Sequence, residues 1–122
     1  MTKSEIFEWL NLGFDIGSHT KTHADLTAIS IKEAEEEILG CKAYLEKMFN
    51  VTICDFCYPF GHYNNEVANI AKVAGYDSGS TMLRGSAGPL TNRYQLPRIP
   101  INHHTLPHLF LAKLLTKYED RR

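Results

Sequence analysis

The succession "SIKEAEEEILGCKAYLEKMF", "VTICDFCYPF" and "NNEVANIAKVAG" limits what this chain can fold into more than any other feature. In the first segment Ile31, Ala34, Ile38, Cys41, Leu45 and Met48 recur at helical spacing. Ser30 and Glu33 supply the S-x-x-E pattern of a capping box, which marks the start of that helix. The second segment is rich in β-branched and aromatic residues and reads as a strand. The third is helical again, with Val67, Ile70, Ala71 and Ala74 inward and Gly75 closing it. The rest of the chain alternates in the same way. "SEIFEWLNLG" reads as a short helix, with Ile6, Phe7 and Leu10 on one side and Gly13 as its stop. "FDIGSH" and "YDSGST" read as strands and "LRGSAGPLTNR" as a loop. "YQLPRIPI" is held extended by Pro97 and Pro100. "LPHLFLAKLLTKYED" is a last helix, with Thr105 as N-cap and Pro107 in its first turn. The alternation predicts one α/β domain over residues 1–122, with mainly parallel strands flanked by helices.

Composition excludes several function classes. A formal net charge of −1 argues against a nucleic-acid binder, which carries a basic excess. No apolar run approaches the roughly 20 residues of a membrane helix. The stretch "MTKSEIFEWLNLG" has no continuous apolar core of a secretory signal, so the chain as it stands is expected in the cytoplasm. Three cysteines, Cys41, Cys54 and Cys57, make a poor disulfide framework and point to a reducing compartment. "CDFC" spells C-x-x-C, but on a strand its two thiols face opposite ways, so core packing is the expectation for both.

In parallel α/β folds, functional groups collect at the C-terminal ends of the strands. "GSHTKTH" and "YPFGHYN" both fall at such ends. His19 and His23 stand four apart, but Thr20 occupies the position of the glutamate in a helical H-E-x-x-H zinc site, and Gly17 and Ser18 disfavour a helix there. A loop that curls back after the strand can still bring both imidazoles to one ion, and imidazole suits zinc and related divalent metals. Two ligands fall short of the usual three of a catalytic zinc.

"LNLGFDIGSHTKTHADL" resembles the second motif of the polysaccharide deacetylases, the NodB-homology domain of carbohydrate esterase family 4: His-[Ser/Thr]-x-x-His, matched by His19, Thr20 and His23. "FCYPFGHYNNEVANIAKVAGY" resembles the third motif with its following helix, and "YQLPRIPI" a closing strand of the family. The resemblance implies part of a (β/α) barrel that removes N- or O-acetyl groups from a sugar polymer, a reaction on the C–N bond where the acetyl is an amide. It implies a divalent metal, zinc by preference, on His19 and His23. The Phe60 backbone N–H would serve as oxyanion donor, and Pro59, Phe60 and Tyr63 would wall the sugar groove.

Departures from the family pattern shape the remaining expectations. The first motif, Thr-Phe-Asp-Asp, holds the base and a third metal ligand, yet no Asp-Asp pair occurs in this sequence. Asp15 is no substitute, since on a strand it lies roughly 13 Å from His19. The resemblance therefore implies the C-terminal part of a catalytic domain, inactive by itself, or else a non-catalytic remnant or carbohydrate-binding fragment. Cys57 takes the place of a family arginine, as a small residue does in some relatives acting on poly-N-acetylglucosamine; Arg98 is a candidate to compensate for it at the substrate site, or a plain ion-paired residue. The Asp-Trp and Leu-x-His motifs are absent in the expected form, leaving His103, His104 and His108 as loose candidates for the acid. His62 is expected to be a solvent-exposed side chain, and Glu33, Glu35, Glu36 and Glu37 a solvated helix face. With part of a barrel missing, the chain is expected to self-associate through its open edges.

Overall fold

The computed structural model describes residues 1–121. The elements are α1 (Lys3–Asn11), α2 (Ile31–Phe49), β1 (Asp55–Cys57), a 3₁₀ turn (Pro59–Gly61), α3 (Asn65–Val73), β2 (Ser78–Arg84), β3 (Leu96–Arg98), α4 (Pro107–Leu115) and a second 3₁₀ turn (Glu119–Arg121). The strands form one parallel sheet in the order β1-β2-β3, with Phe56 opposite Gly79 and Ser80 opposite Leu96. The expected α/β arrangement of parallel strands and flanking helices is what the chain forms.

Helix α2 starts where its capping box places it. The Ser30 hydroxyl accepts from the Glu33 N–H while the Glu33 carboxylate accepts from the Ser30 N–H. The helix ends at Asn50, which takes the left-handed conformation. Helix α3 is capped by the Asn64 side chain, which accepts from the Val67 N–H. Ala34 and Ile38 of α2 and Val67, Ile70 and Ala71 of α3 pack with Leu26, Ile53, Phe56, Tyr58 and Tyr76 into one core. Two buried tyrosines satisfy their hydroxyls on backbone: Tyr58 donates to the Tyr94 carbonyl at 2.8 Å and Tyr76 to the Ile38 carbonyl at 3.1 Å. Burial pushes the Tyr76 phenol up to about 12 and the Tyr58 phenol higher still.

Four local expectations are corrected. "FDIGSH" is not a full strand: only Ser18 bridges to the sheet, its N–H donating to the Asp55 carbonyl and its carbonyl accepting from the Cys57 N–H. With the sheet on one side only, a single exchange is all this stretch makes. Strand β2 runs further than "YDSGST", taking in Met82 and, from the predicted loop, Leu83 and Arg84, because β3 pairs with it as far as Arg84. The cap of α4 is Leu106, not Thr105, whose hydroxyl meets Asn102 in the turn before the helix. Cys54 and Cys57 are half-buried rather than in the core; Cys41 is the buried cysteine, and all three are free.

Helices α1 and α4 bury none of their residues. Leu90, Leu115, Met82, Leu83, Leu111 and Phe110 are exposed large apolar side chains. No helix among the described residues is long and apolar enough to cross a membrane.

Candidate metal centre

The parallel strands put two loops side by side. One follows Ser18 and carries His19 and His23; the other follows β1 and carries Pro59, Phe60 and Gly61. The His19 and His23 rings lie with centroids 4.8 Å apart and planes at 73°. His19 Nδ1 lies 2.7 Å from the Cys57 carbonyl oxygen, which can only accept, so this nitrogen donates and Nε2 is the nitrogen left to face outward. Metal-bound histidines are oriented in this manner. Two imidazoles sharing one ion at a zinc–nitrogen distance of about 2.0–2.1 Å have their centres roughly 5 Å apart, which the observed pair satisfies. Among the described residues no group of three His, Cys, Asp or Glu side chains could hold an ion.

The histidine loop is tied down on its inner side. Glu37 of α2 accepts from the Lys21 N–H at 2.7 Å, the Thr22 N–H at 2.9 Å and the Thr22 hydroxyl at 2.8 Å. Partial burial pushes the Glu37 carboxyl up, but the Thr22 and Lys21 donors outweigh it and hold it below the ordinary glutamate value. Buried Cys41 donates to the Thr20 carbonyl, and the Thr20 hydroxyl accepts from the His23 N–H. The reading of Glu37 as a solvated residue is therefore corrected: it anchors the loop. No local pattern could have shown this, since its partners are 15 and 16 residues away.

Phe60 has φ +58° and Gly61 φ +71°. A Cβ on Gly61 would sit 2.5 Å from Met82 Cβ, so only glycine fits this turn. The Phe60 N–H has no hydrogen-bond partner among the described residues, whereas the next two amides donate to the Tyr58 and Pro59 carbonyls. The exposed Phe60 ring packs edge-on against His23, centroids 4.7 Å apart. The residue that carries this free donor therefore meets the histidine pair through its ring.

The profile of the polysaccharide deacetylase family matches residues 1–79. The chain belongs to the polysaccharide deacetylase family. It is 28% identical over 102 residues to YxkH of Bacillus subtilis (strain 168), a polysaccharide deacetylase by name, covering 84% of this chain and 37% of that protein. Among solved structures, the Streptococcus pyogenes deacetylase PplD in complex with acetate matches with a TM-score of 0.88 at 29% identity, over 93% of this chain and 50% of that one. BC0361, a polysaccharide deacetylase from Bacillus cereus, matches with a TM-score of 0.83 at 32% identity, over 93% of this chain and 36% of that one. The chain thus spans half or less of the length of these relatives.

The other candidate residues of this deacetylase-family chain divide clearly. Pro59 is fully buried under the turn and presents no wall to a ligand. Tyr63 is half-buried, its ring 5.5 Å from that of Tyr58, with part of its surface open. Arg98 Nη2 lies 3.1 Å from Cys57 Sγ. It also lines a cavity of about 370 Å³ with Met82, Arg84, Ile99, Pro100 and Ile101. His103 and His104 stack on each other in the exposed turn before α4, and His108 is exposed on that helix. His62 is exposed but not without a partner: its Nδ1 lies 2.8 Å from Asp25 Oδ2. The Thr27 hydroxyl first, and His62 second, pull the Asp25 carboxyl down to about 2. "D-L-T" foreshadowed the bonds to Thr27, since Asp side chains bond the backbone two residues on. Nothing in the sequence pointed to His62, 37 positions away.

Proposed function

We propose that this chain supplies the histidine side of a metal-dependent site that removes acetyl groups from a sugar polymer. The reading rests chiefly on the His19–His23 pair, with His19 Nδ1 held by a carbonyl, beside the unpartnered Phe60 N–H. His19 and His23 would hold a divalent ion, zinc by its preference for imidazole. When bound, such an ion polarises an acyl carbonyl and acidifies water. The Phe60 N–H is the donor to the oxygen that becomes negative in acyl transfer. The Phe60 ring and the open part of Tyr63 offer faces to a pyranose, and Arg98 a cation at the edge of the groove. The third ligand and the base come from outside these 122 residues, so the chain is one part of a catalytic domain acting on acetylated poly- or oligosaccharide.

Zinc titration of the chain by calorimetry tests the site. Binding is expected to be weak at neutral pH, to weaken in acid as protons compete with the ion for its ligands, and to vanish in His19→Ala and in His23→Ala. Unchanged affinity in either variant removes the assignment. The same preparations should release little acetate from acetylated chito-oligosaccharides, because general-base catalysis alone is worth about 10²–10⁴-fold. Robust release abolished by His19→Ala would mean that a residue of this chain serves as base.

A further inference from the structure

Phe60 has a conformation that a bulky side chain rarely adopts, so its surroundings must impose it. Three contacts do so within its own turn or from the histidine loop: the Gly61 N–H to the Tyr58 carbonyl, the His62 N–H to the Pro59 carbonyl, and the Phe60 ring on His23. A fourth crosses between the loops. Asp25, two residues past His23, takes the His62 ring at 2.8 Å, and the His62 and Phe60 ring centroids are 5.8 Å apart. Asp25 is itself held, since its other oxygen accepts from the Thr27 N–H at 3.0 Å and the Thr27 hydroxyl at 2.7 Å. The rings of His19, His23, Phe60 and His62 therefore form a continuous row. One end is fixed to the Cys57 carbonyl and the other to the Asp25 carboxylate.

We propose that Asp25 and His62 are a positioning pair, a latch that clamps the Phe60 turn to the histidine loop and so sets where the Phe60 N–H points. The pair acts through Phe60, whose ring the His62 ring meets. What the latch serves rests on the deacetylase reading above, whereas its existence does not. This makes the two separable by experiment.

The test is residue-resolved amide exchange by NMR on the whole chain, without metal or sugar. In Asp25→Ala the Gly61 and His62 amides exchange about threefold faster, the size suited to an exposed charge-assisted pair, while the Ile38 and Val67 amides of the core stay as they were. His62→Ala, which leaves the Asp25–Thr27 bonds in place, accelerates Gly61 to the same extent. Asp25→Asn keeps a polar partner for either imidazole tautomer and restores most of the protection, and the Phe60 amide signal returns toward its wild-type position. Wild-type exchange at Gly61 in both alanine variants overturns the latch, as does an Asn variant indistinguishable from Ala. If Asp25→Ala loosens the core as well, His62→Ala decides. Loss of zinc binding as the fault in the functional reading would leave these exchange rates untouched.

Discussion

Removing the Glu37 carboxylate should unfasten the histidine loop while leaving the core whole. In the structure Glu37 accepts three hydrogen bonds of 2.7–2.9 Å, two from backbone N–H groups and one from the Thr22 hydroxyl. Hydrogen bonds to a charged group contribute about 1.5–3 kcal/mol each when well shielded. These are exposed and shared with water, which cuts the sum for Glu37→Ala to about 2 kcal/mol. For a domain of this size that is a fall in Tm of roughly 6–10 °C. Glu37→Gln is the informative companion. Its amide oxygen can keep both N–H donors, and its amide N–H can donate to the Thr22 hydroxyl, so geometry survives and only charge is lost. It should cost about half as much. The pH dependence has a definite sign. The folded-state carboxyl lies below its ordinary value of 4.5, so its contribution is present above that pH and is lost as pH falls through the folded value. The gap between wild type and Glu37→Ala should therefore close in acid. Thermal unfolding by circular dichroism at neutral and acid pH, with zinc calorimetry on the same samples, reads both effects. An alanine variant with wild-type Tm and wild-type zinc affinity would refute the anchoring role, and a gap unchanged in acid would refute its ionic character.

Two further outcomes follow from burial. The Tyr76 phenol titrates near 12 in the folded chain and Tyr58 higher, so both favour the folded state below pH 10 and cease to do so as pH rises toward the folded values; phenolate absorbance should lag behind that of the exposed tyrosines and then appear together with unfolding, and free titration of all six tyrosines near 10 in the folded chain would contradict this burial. Exposed Leu90, Met82, Leu83, Leu111 and Leu115, with no buried residue on α4, should drive self-association at micromolar concentration; sedimentation showing one monomer at every concentration would refute it.

What the sequence made legible were features written in local spacing. The start of α2 follows from Ser30 and Glu33, and its buried stripe from Ala34, Ile38 and Cys41. The family motif likewise placed His19, His23 and Phe60 on neighbouring loops, and the parallel pairing of Ser18 with Phe56 brings them together. What stayed hidden depends on contacts between distant residues. "FDIGSH" has the composition of a strand, but a strand is made by its partners, and here pairing exists only at Ser18. Glu33, Glu35, Glu36 and Glu37 look alike in sequence; Glu33 caps the helix and Glu37 holds the loop because of where each faces. Pro59 carries the motif that marks a groove wall, yet the turn folds it inward.

The distribution of backbone strain supports placing function at this rim. Among the described residues, four non-glycine residues have positive φ, and three of them, Thr20, His23 and Phe60, lie in the two loops that meet there. Asn50, the fourth, ends α2, where such a conformation is ordinary for asparagine. The left-handed region costs a non-glycine residue about 1–2 kcal/mol. Three such residues together amount to several kcal/mol, a large part of the net stability of a small domain. Thr20 and His23 are held from behind by Glu37, Cys41 and the Thr20 hydroxyl. The Phe60 turn is held through the amide bonds to Tyr58 and Pro59 and by Asp25 on His62. A loop that only connected two elements could relax at no loss. These two keep their strain while the same conformations hold the His19, His23 and Phe60 rings in contact, and relaxing either loop would part those rings.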